Sequence, residues 1–181
     1  DWLDELRHDA GPVDLAVSIR RTRTAPATLV PRRLALGVGC ERGLPPEDLA
    51  TLVGDTLAAF DLDPAAIGVV VSLDLKAGEP AVRALADGLG VAARFFDAAT
   101  LEAETPRLAT PSAAVFREVG CHGVAEGAAL AAVGAEGRLL VPKAKGERAT
   151  VAVAEAPAPL DAQRLGRPGG RLWLLSLGPG D

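Results

Sequence analysis

LALGVGCERGLPPEDLATLVGDTLAAF, Leu34 to Phe60, is an apolar run broken by glycines, then a short polar turn, then a patterned segment. An uncharged run ending at Gly37-Val38-Gly39 reads as a buried strand leaving the sheet. Pro45 and Pro46 followed by Glu47 and Asp48 suit the start of a helix, where a missing N–H costs nothing and acids meet the positive dipole end. Leu49, Leu52, Val53, Leu57 and Phe60 recur at helical spacing and predict one apolar face. A strand passing through a tight turn into an amphipathic helix is the opening unit of an α/β domain.

The pattern repeats downstream. IGVVVSLDL (Ile67 to Leu75) is β-branched and uncharged until Asp74, as a central strand should be. The helix EPAVRALADGLG follows, with Gly90 as its C-cap. A strand ARFFD and a short helix around ATLEAE come next. RLATPSAAVFREVG predicts a helix with Thr110 as N-cap and Pro111 in its first turn. GVAEGAALAAVG is a helix of small residues able to pack very close to its neighbours. RLLVPKAKGERATVAVAEA reads as two strands joined through KAKGER, with Gly146 at the hairpin tip. The order predicts an α/β fold: three layers, α/β/α, with a mixed sheet whose last strands form an antiparallel hairpin.

That domain occupies residues 33–156. Residues 1–32 read as peripheral: a helical turn in WLDEL, a short strand in VDLAVSI, and a basic Pro-containing linker. Arg20, Arg21 and Arg23 fit a solvated linker better than an anion site. Residues 157–181 begin as a linker by composition, APAPLDAQRLGRPGG, and end in a fresh apolar strand, RLWLLSLGPGD. A first residue of Asp and the lack of any Met fit a piece of a longer polypeptide.

Aromatics are only 3% of residues against 49% hydrophobic overall, so Ala, Val and Leu must build the core. A net charge of −5 gives no support to nucleic-acid binding. No apolar run approaches the ~18–20 residues of a membrane helix, and no signal peptide is visible. Two cysteines make no disulfide framework, and a reducing cytoplasmic setting follows. Arg outnumbers Lys 16 to 3, so Lys76, Lys143 and Lys145 stand out.

GVGCERG is not a phosphate-binding Walker loop, because no Gly-Lys-Ser/Thr follows. It misses the dinucleotide spacing by one residue at Gly43. Two readings stay open: a tight turn that needs glycine, or backbone N–H groups aimed at an anion with Arg42 assisting. Cys40 has no base nearby in sequence and reads as structural. Cys121-His122 and Cys40 show no metal-ligand spacing, and neither a metal nor a cofactor is expected.

In SLDLKAGEP, Lys76 and Glu79 sit where a central strand gives way to a helix. They can bind an acidic ligand or work as an acid/base pair; the plain alternative is a surface ion pair. Lys143, at the end of a strand, is a partner for an anion, whereas a solvated tip explains Lys145. Glu126, a carboxylate among Ala and Gly, marks either a half-buried site or the wet side of its helix.

Five ordered blocks carry a resemblance: PRRLALGVGCERG, VVVSLDLKAGEPAVRALADGLG, ARFFDAATLEA, PSAAVFREVGCHGVAEGAALAA and RLLVPKAKGERATVAVAEA. Together they resemble the C-terminal domain of the cobalamin-biosynthesis protein CbiG, cobalt-precorrin-5A hydrolase, and its stand-alone homologue CobE. The ending RLWLLSLGPGD resembles the first strand and loop of a precorrin methyltransferase, which implies a fused hydrolase–methyltransferase polypeptide. The family hydrolyses a lactone of cobalt-precorrin-5A and releases acetaldehyde. The resemblance implies a corrinoid or precorrin ligand and neighbouring hydrolase and methyltransferase domains. It places Gly37, Gly39, Gly43, Lys76, Ser112 and Lys143 as ligand-binding residues, and Glu79 and Glu126 as candidate bases. Competing readings are a non-catalytic channelling domain between the two enzymes, or a small domain for another anionic metabolite.

Overall fold

The computed structural model describes residues 15–23 and 25–169. WLDEL, the start of VDLAVSI and RLWLLSLGPGD lie outside the described residues. The chain order is β1 (Leu15–Val17), β2 (Ala27–Leu29), β3 (Leu34–Cys40), α1 (Pro46–Ala59), β4 (Ile67–Leu73), α2 (Pro80–Leu89) and β5 (Ala92–Phe96). It continues through α3 (Ala98–Ala103), α4 (Ala113–Val119), α5 (Val124–Val133), β6 (Arg138–Lys145), β7 (Ala149–Glu155) and β8 (Arg167–Pro168). The main sheet has the order β6-β7-β3-β4-β5-β8. Its centre, β3-β4-β5, is parallel, and β7 joins β3, and β8 joins β5, antiparallel. The expected mixed sheet with helices on both faces is the observed architecture.

Side-chain alternation along β3 sorts the two layers. Leu34, Leu36 and Val38 face α1 and α2, where Leu49, Val53, Leu57, Val82 and Leu85 complete one core. Ala35 faces the other way, onto Leu101 of α3 and Ala128, Ala129 and Ala132 of α5. This second interface is built of small residues, so α5 lies almost on the sheet. A Cβ added at Gly37 would sit 1.9 Å from the Ala125 carbonyl oxygen. Glycine is needed there for contact between helix and strand.

Several local expectations are corrected. The N-cap of α4 is Ser112, whose hydroxyl accepts the Val115 N–H at 3.4 Å, and not Thr110. Thr110 is recruited elsewhere, as described below. Phe60 caps α1 and is 43% exposed, because α1 ends before its side chain reaches the core; Thr56 fills that face instead. The basic segment is docked and not freely solvated. Arg23 pairs with Asp63 at 2.5 Å, and Arg20 donates to the Phe60 carbonyl at 2.7 Å. The Pro-rich stretch after Ala156 also packs down. Leu160, Ala162 and Leu165 cover the α5 side, and β8 extends the sheet beyond β5.

Candidate functional site

β3 is where the sheet changes sense, with parallel β4 on one side and antiparallel β7 on the other. In α/β sheets, ligands bind beyond the carboxyl ends of strands at such points. A cleft of about 460 Å³ opens there. Its walls come from the ends of β3 and β4, one face of α4 with its cap Ser112, the first turn of α5, and the β6–β7 hairpin. Leu73, Val115, Val119 and Val124 supply an apolar lining.

All three lysines of the chain line this cleft: Lys76 from the turn after β4, and Lys143 and Lys145 from β6. Among the described residues none of them forms an ion pair, whereas the neighbouring Arg148 is held by Glu41 at 2.9 Å. Gly39 and Ser112 also line the cleft. So Gly39, Lys76, Ser112 and Lys143, far apart in sequence, share one space. Lys145, which sequence reasoning gave to solvent, joins them because β6 runs on through it before the turn.

The remaining expected residues stand behind this surface. Gly37 is buried in the β3–α5 contact. Gly43 has φ +69° and donates its N–H to Glu79 Oε2 at 3.0 Å, so that donor is not free for a ligand. Glu79, only 7% exposed, thereby ties the β3–α1 turn to the start of α2, with Arg42 3.9 Å from its other oxygen.

Glu126, 2% exposed, is more fully engaged still. Its Oε2 accepts the N–H groups of Ala109 (2.9 Å) and Thr110 (3.0 Å). Its Oε1 accepts the Thr110 hydroxyl (2.9 Å) and the Lys143 N–H (2.8 Å). Burial pushes this carboxyl up, but the bonds from Lys143, Thr110 and Ala109 outweigh it and hold it below the usual carboxylate range. Four donors on two oxygens leave no good place for a water. The carboxylate instead fixes the 109–110 loop to β6, and Lys143 Nζ closes the arrangement on the Thr110 carbonyl at 2.9 Å.

Cys40 lines the cleft, and its thiol is pushed up by burial, partly offset by Lys76. Cys121 is buried on the opposite side of the sheet, so the two cysteines cannot meet. His122 pairs with Glu102: Nδ1 lies 3.0 Å from both carboxylate oxygens. Twenty residues of separation hid this pair from the sequence reading.

Comparison with known proteins gives the chain its family. Residues 34–154 match the family described as "Cobalamin synthesis G C-terminus". The chain is 50% identical over 131 residues to "Protein CobE" of a Sinorhizobium species, covering 72% of this chain and 84% of that protein. It is 31% identical over 127 residues to the cobalt-precorrin-5A hydrolase of Priestia megaterium, covering 70% of this chain but 33% of the hydrolase. The chain thus spans about a third of that longer relative. Among solved structures, CobE of the cobalamin biosynthetic pathway superposes with a TM-score of 0.64 at 38% identity. That match covers 68% of this chain and 89% of CobE. With the family match running through both central strands, the cleft-bearing hairpin and α5, the chain belongs to the CobE/CbiG C-terminal family of cobalamin biosynthesis.

Proposed function

We propose that the cleft binds a corrinoid intermediate through its peripheral carboxylates. The observation that carries this is the gathering of all three lysines around an apolar lining at the carboxyl end of the sheet. A corrinoid is an apolar macrocycle rimmed by acetate and propionate side chains, and ammonium groups beside Leu73, Val115, Val119 and Val124 match both halves. Glu41, Glu118 and Glu147 also line the cleft, and Glu41 is taken up by Arg148, so the lysines are what the cleft offers an anionic ligand.

In this reading Gly39, Lys76, Ser112 and Lys143 face the ligand. Gly37, Gly43, Glu79 and Glu126 hold the segments that carry them. Lactone opening with acetaldehyde release is then an activity of the longer hydrolase, to which this domain contributes substrate binding. Hydrolysis assays with and without the rest of a hydrolase polypeptide test the division. Turnover by the 181-residue chain alone would refute it.

A second reading, contact with adjacent hydrolase or methyltransferase domains, is favoured by the β1–β2 ribbon. Leu15, Val17 and Leu29 are each more than half exposed on its one face. Co-purification with a precorrin methyltransferase that survives Leu15→Asp and Leu29→Asp would contradict it.

A further inference from the structure

α4 is the wall of the cleft that the core holds least. It buries none of its seven residues, whereas α5 buries eight of its ten and the remaining walls are strand ends with their hairpin. Yet one face of α4 supplies Val115, Glu118 and Val119 to the cleft, and its cap is Ser112. Val119 rests against the core beside Leu101. Outside the cleft, the exposed ring of Phe116 stacks on the imidazole of His122. The ring centroids are 4.6 Å apart and the planes 24° from parallel.

His122 itself is firmly placed. Cys121 before it is fully buried, and a Cβ on Gly123 after it would stand 3.1 Å from Leu108 Cδ1. The His122 N–H donates to Glu102 Oε2 at 3.0 Å, and Nδ1 lies 3.0 Å from both Glu102 oxygens. The hydrogen bond from His122 holds the Glu102 carboxyl below its usual range, so it is an anionic acceptor at neutral pH and Nδ1 carries the hydrogen. The Thr105 hydroxyl steadies Glu102 at 3.0 Å. The His122 carbonyl accepts the Ser112 N–H at 2.8 Å, closing the base of the excursion that α4 makes between them. One residue thus ties the entrance of α4, its middle and α3 together.

An aromatic pair of this kind shifts an equilibrium about fivefold. Loss of the pair raises the apparent dissociation constant by the inverse of the fraction of α4 still in place. That loss falls on the apolar part of the ligand, because α4 brings Val115 and Val119, whereas the lysines come from β6 and the turn after β4. Resting on the cleft reading, we propose that His122 is a positioning residue for the corrinoid: stacked on Phe116, it holds α4 where Val115 and Val119 meet the apolar macrocycle. The imidazole acts through the helix and touches no ligand, and Glu102 sets the orientation of the ring.

Visible-absorption titration of the 181-residue chain with hydrogenobyrinic acid tests this. Phe116→Ala and His122→Ala should each weaken binding about fivefold. The double variant should lose no more than either alone, since both break one contact. Phe116→Tyr keeps the stack and should bind as the unmutated chain does, a rescue that a general loss of stability would not give. With the lysines untouched, the salt dependence of affinity should be that of the unmutated chain, whereas Lys76→Ala/Lys143→Ala should flatten it.

Labelling the four Phe positions with 4-fluorophenylalanine gives a second readout. The Phe116 signal, the one absent from Phe116→Tyr, should broaden in His122→Ala and sharpen again at saturating ligand. Variants that bind as tightly as the unmutated chain, losses that add in the double variant, or a fluorine signal indifferent to His122→Ala would overturn the positioning role and leave the cleft reading standing. Failure of the unmutated chain to bind would overturn the cleft reading and the positioning role with it.

Discussion

Glu126 shows how one side chain can be misjudged by its surroundings in sequence. Among Ala and Gly it looks like a lone carboxylate available for chemistry; in the fold it accepts four hydrogen bonds, including one from Lys143. None of those donors lies within ten residues of it in sequence, so the pattern around GVAEGAAL could not reveal them. Glu126→Gln turns an NH₂ toward N–H donors and should cost about 3 kcal/mol in urea unfolding at neutral pH. The pH dependence has a definite sign. The folded carboxyl lies below its unfolded value of about 4.3, so its stabilisation is present above that pH. It is lost as pH falls through the folded value. The variant should therefore show a flatter acid limb, and an unchanged limb would argue against the four-donor arrangement. Lys76 and Lys143 were legible in the sequence for a simpler reason: lysine is rare here, and an apolar strand pattern leads up to each. Lys145 was missed because a hairpin tip was expected where β6 still continues.

Elements differ in how clearly their sequences announced them. The uninterrupted apolar runs of β3 and β4 gave the sheet centre, and Gly90 ends α2 in the left-handed conformation at φ +63°. The start of α4 was less legible, because Thr110 and Ser112 are equally good caps and the tertiary demand of Glu126 decides between them. The glycines in and just after β3 look alike in sequence but do different work. Gly37→Ala would force a methyl group onto the Ala125 carbonyl and should destabilise by about 3 kcal/mol. Gly43→Ala meets open space and pays only for its φ of +69°, about 1 kcal/mol. Thermal unfolding of the two variants side by side distinguishes them; equal losses would contradict the close β3–α5 contact. The segment after Ala156 shows the opposite error. Its Pro and Gly content reads as a linker, yet Leu160, Ala162 and Leu165 find the apolar surface beside α5.

Across the whole molecule, two layers of different thickness meet at one sheet, and the cleft lies where its strand directions change. The thin layer exists because Ala35, Gly37 and the alanines of α5 allow close approach, which brings the first turn of α5 to the end of β3. No described helix is long and apolar enough to cross a membrane. A ligand held by ammonium groups in an open cleft should bind less tightly as salt rises, since screening shortens their reach to ~8 Å at physiological ionic strength. A salt-independent affinity would speak against carboxylate recognition. Bound ligand should also raise the unfolding temperature in step with its concentration. The most direct measurement is a visible-absorption titration with hydrogenobyrinic acid, comparing the chain with its Lys76→Ala/Lys143→Ala variant. Binding should be saturable and weakened about a hundredfold in the variant, each ammonium–carboxylate contact contributing about tenfold. Equal affinities, or no binding by the unmutated chain at high micromolar ligand, would contradict it.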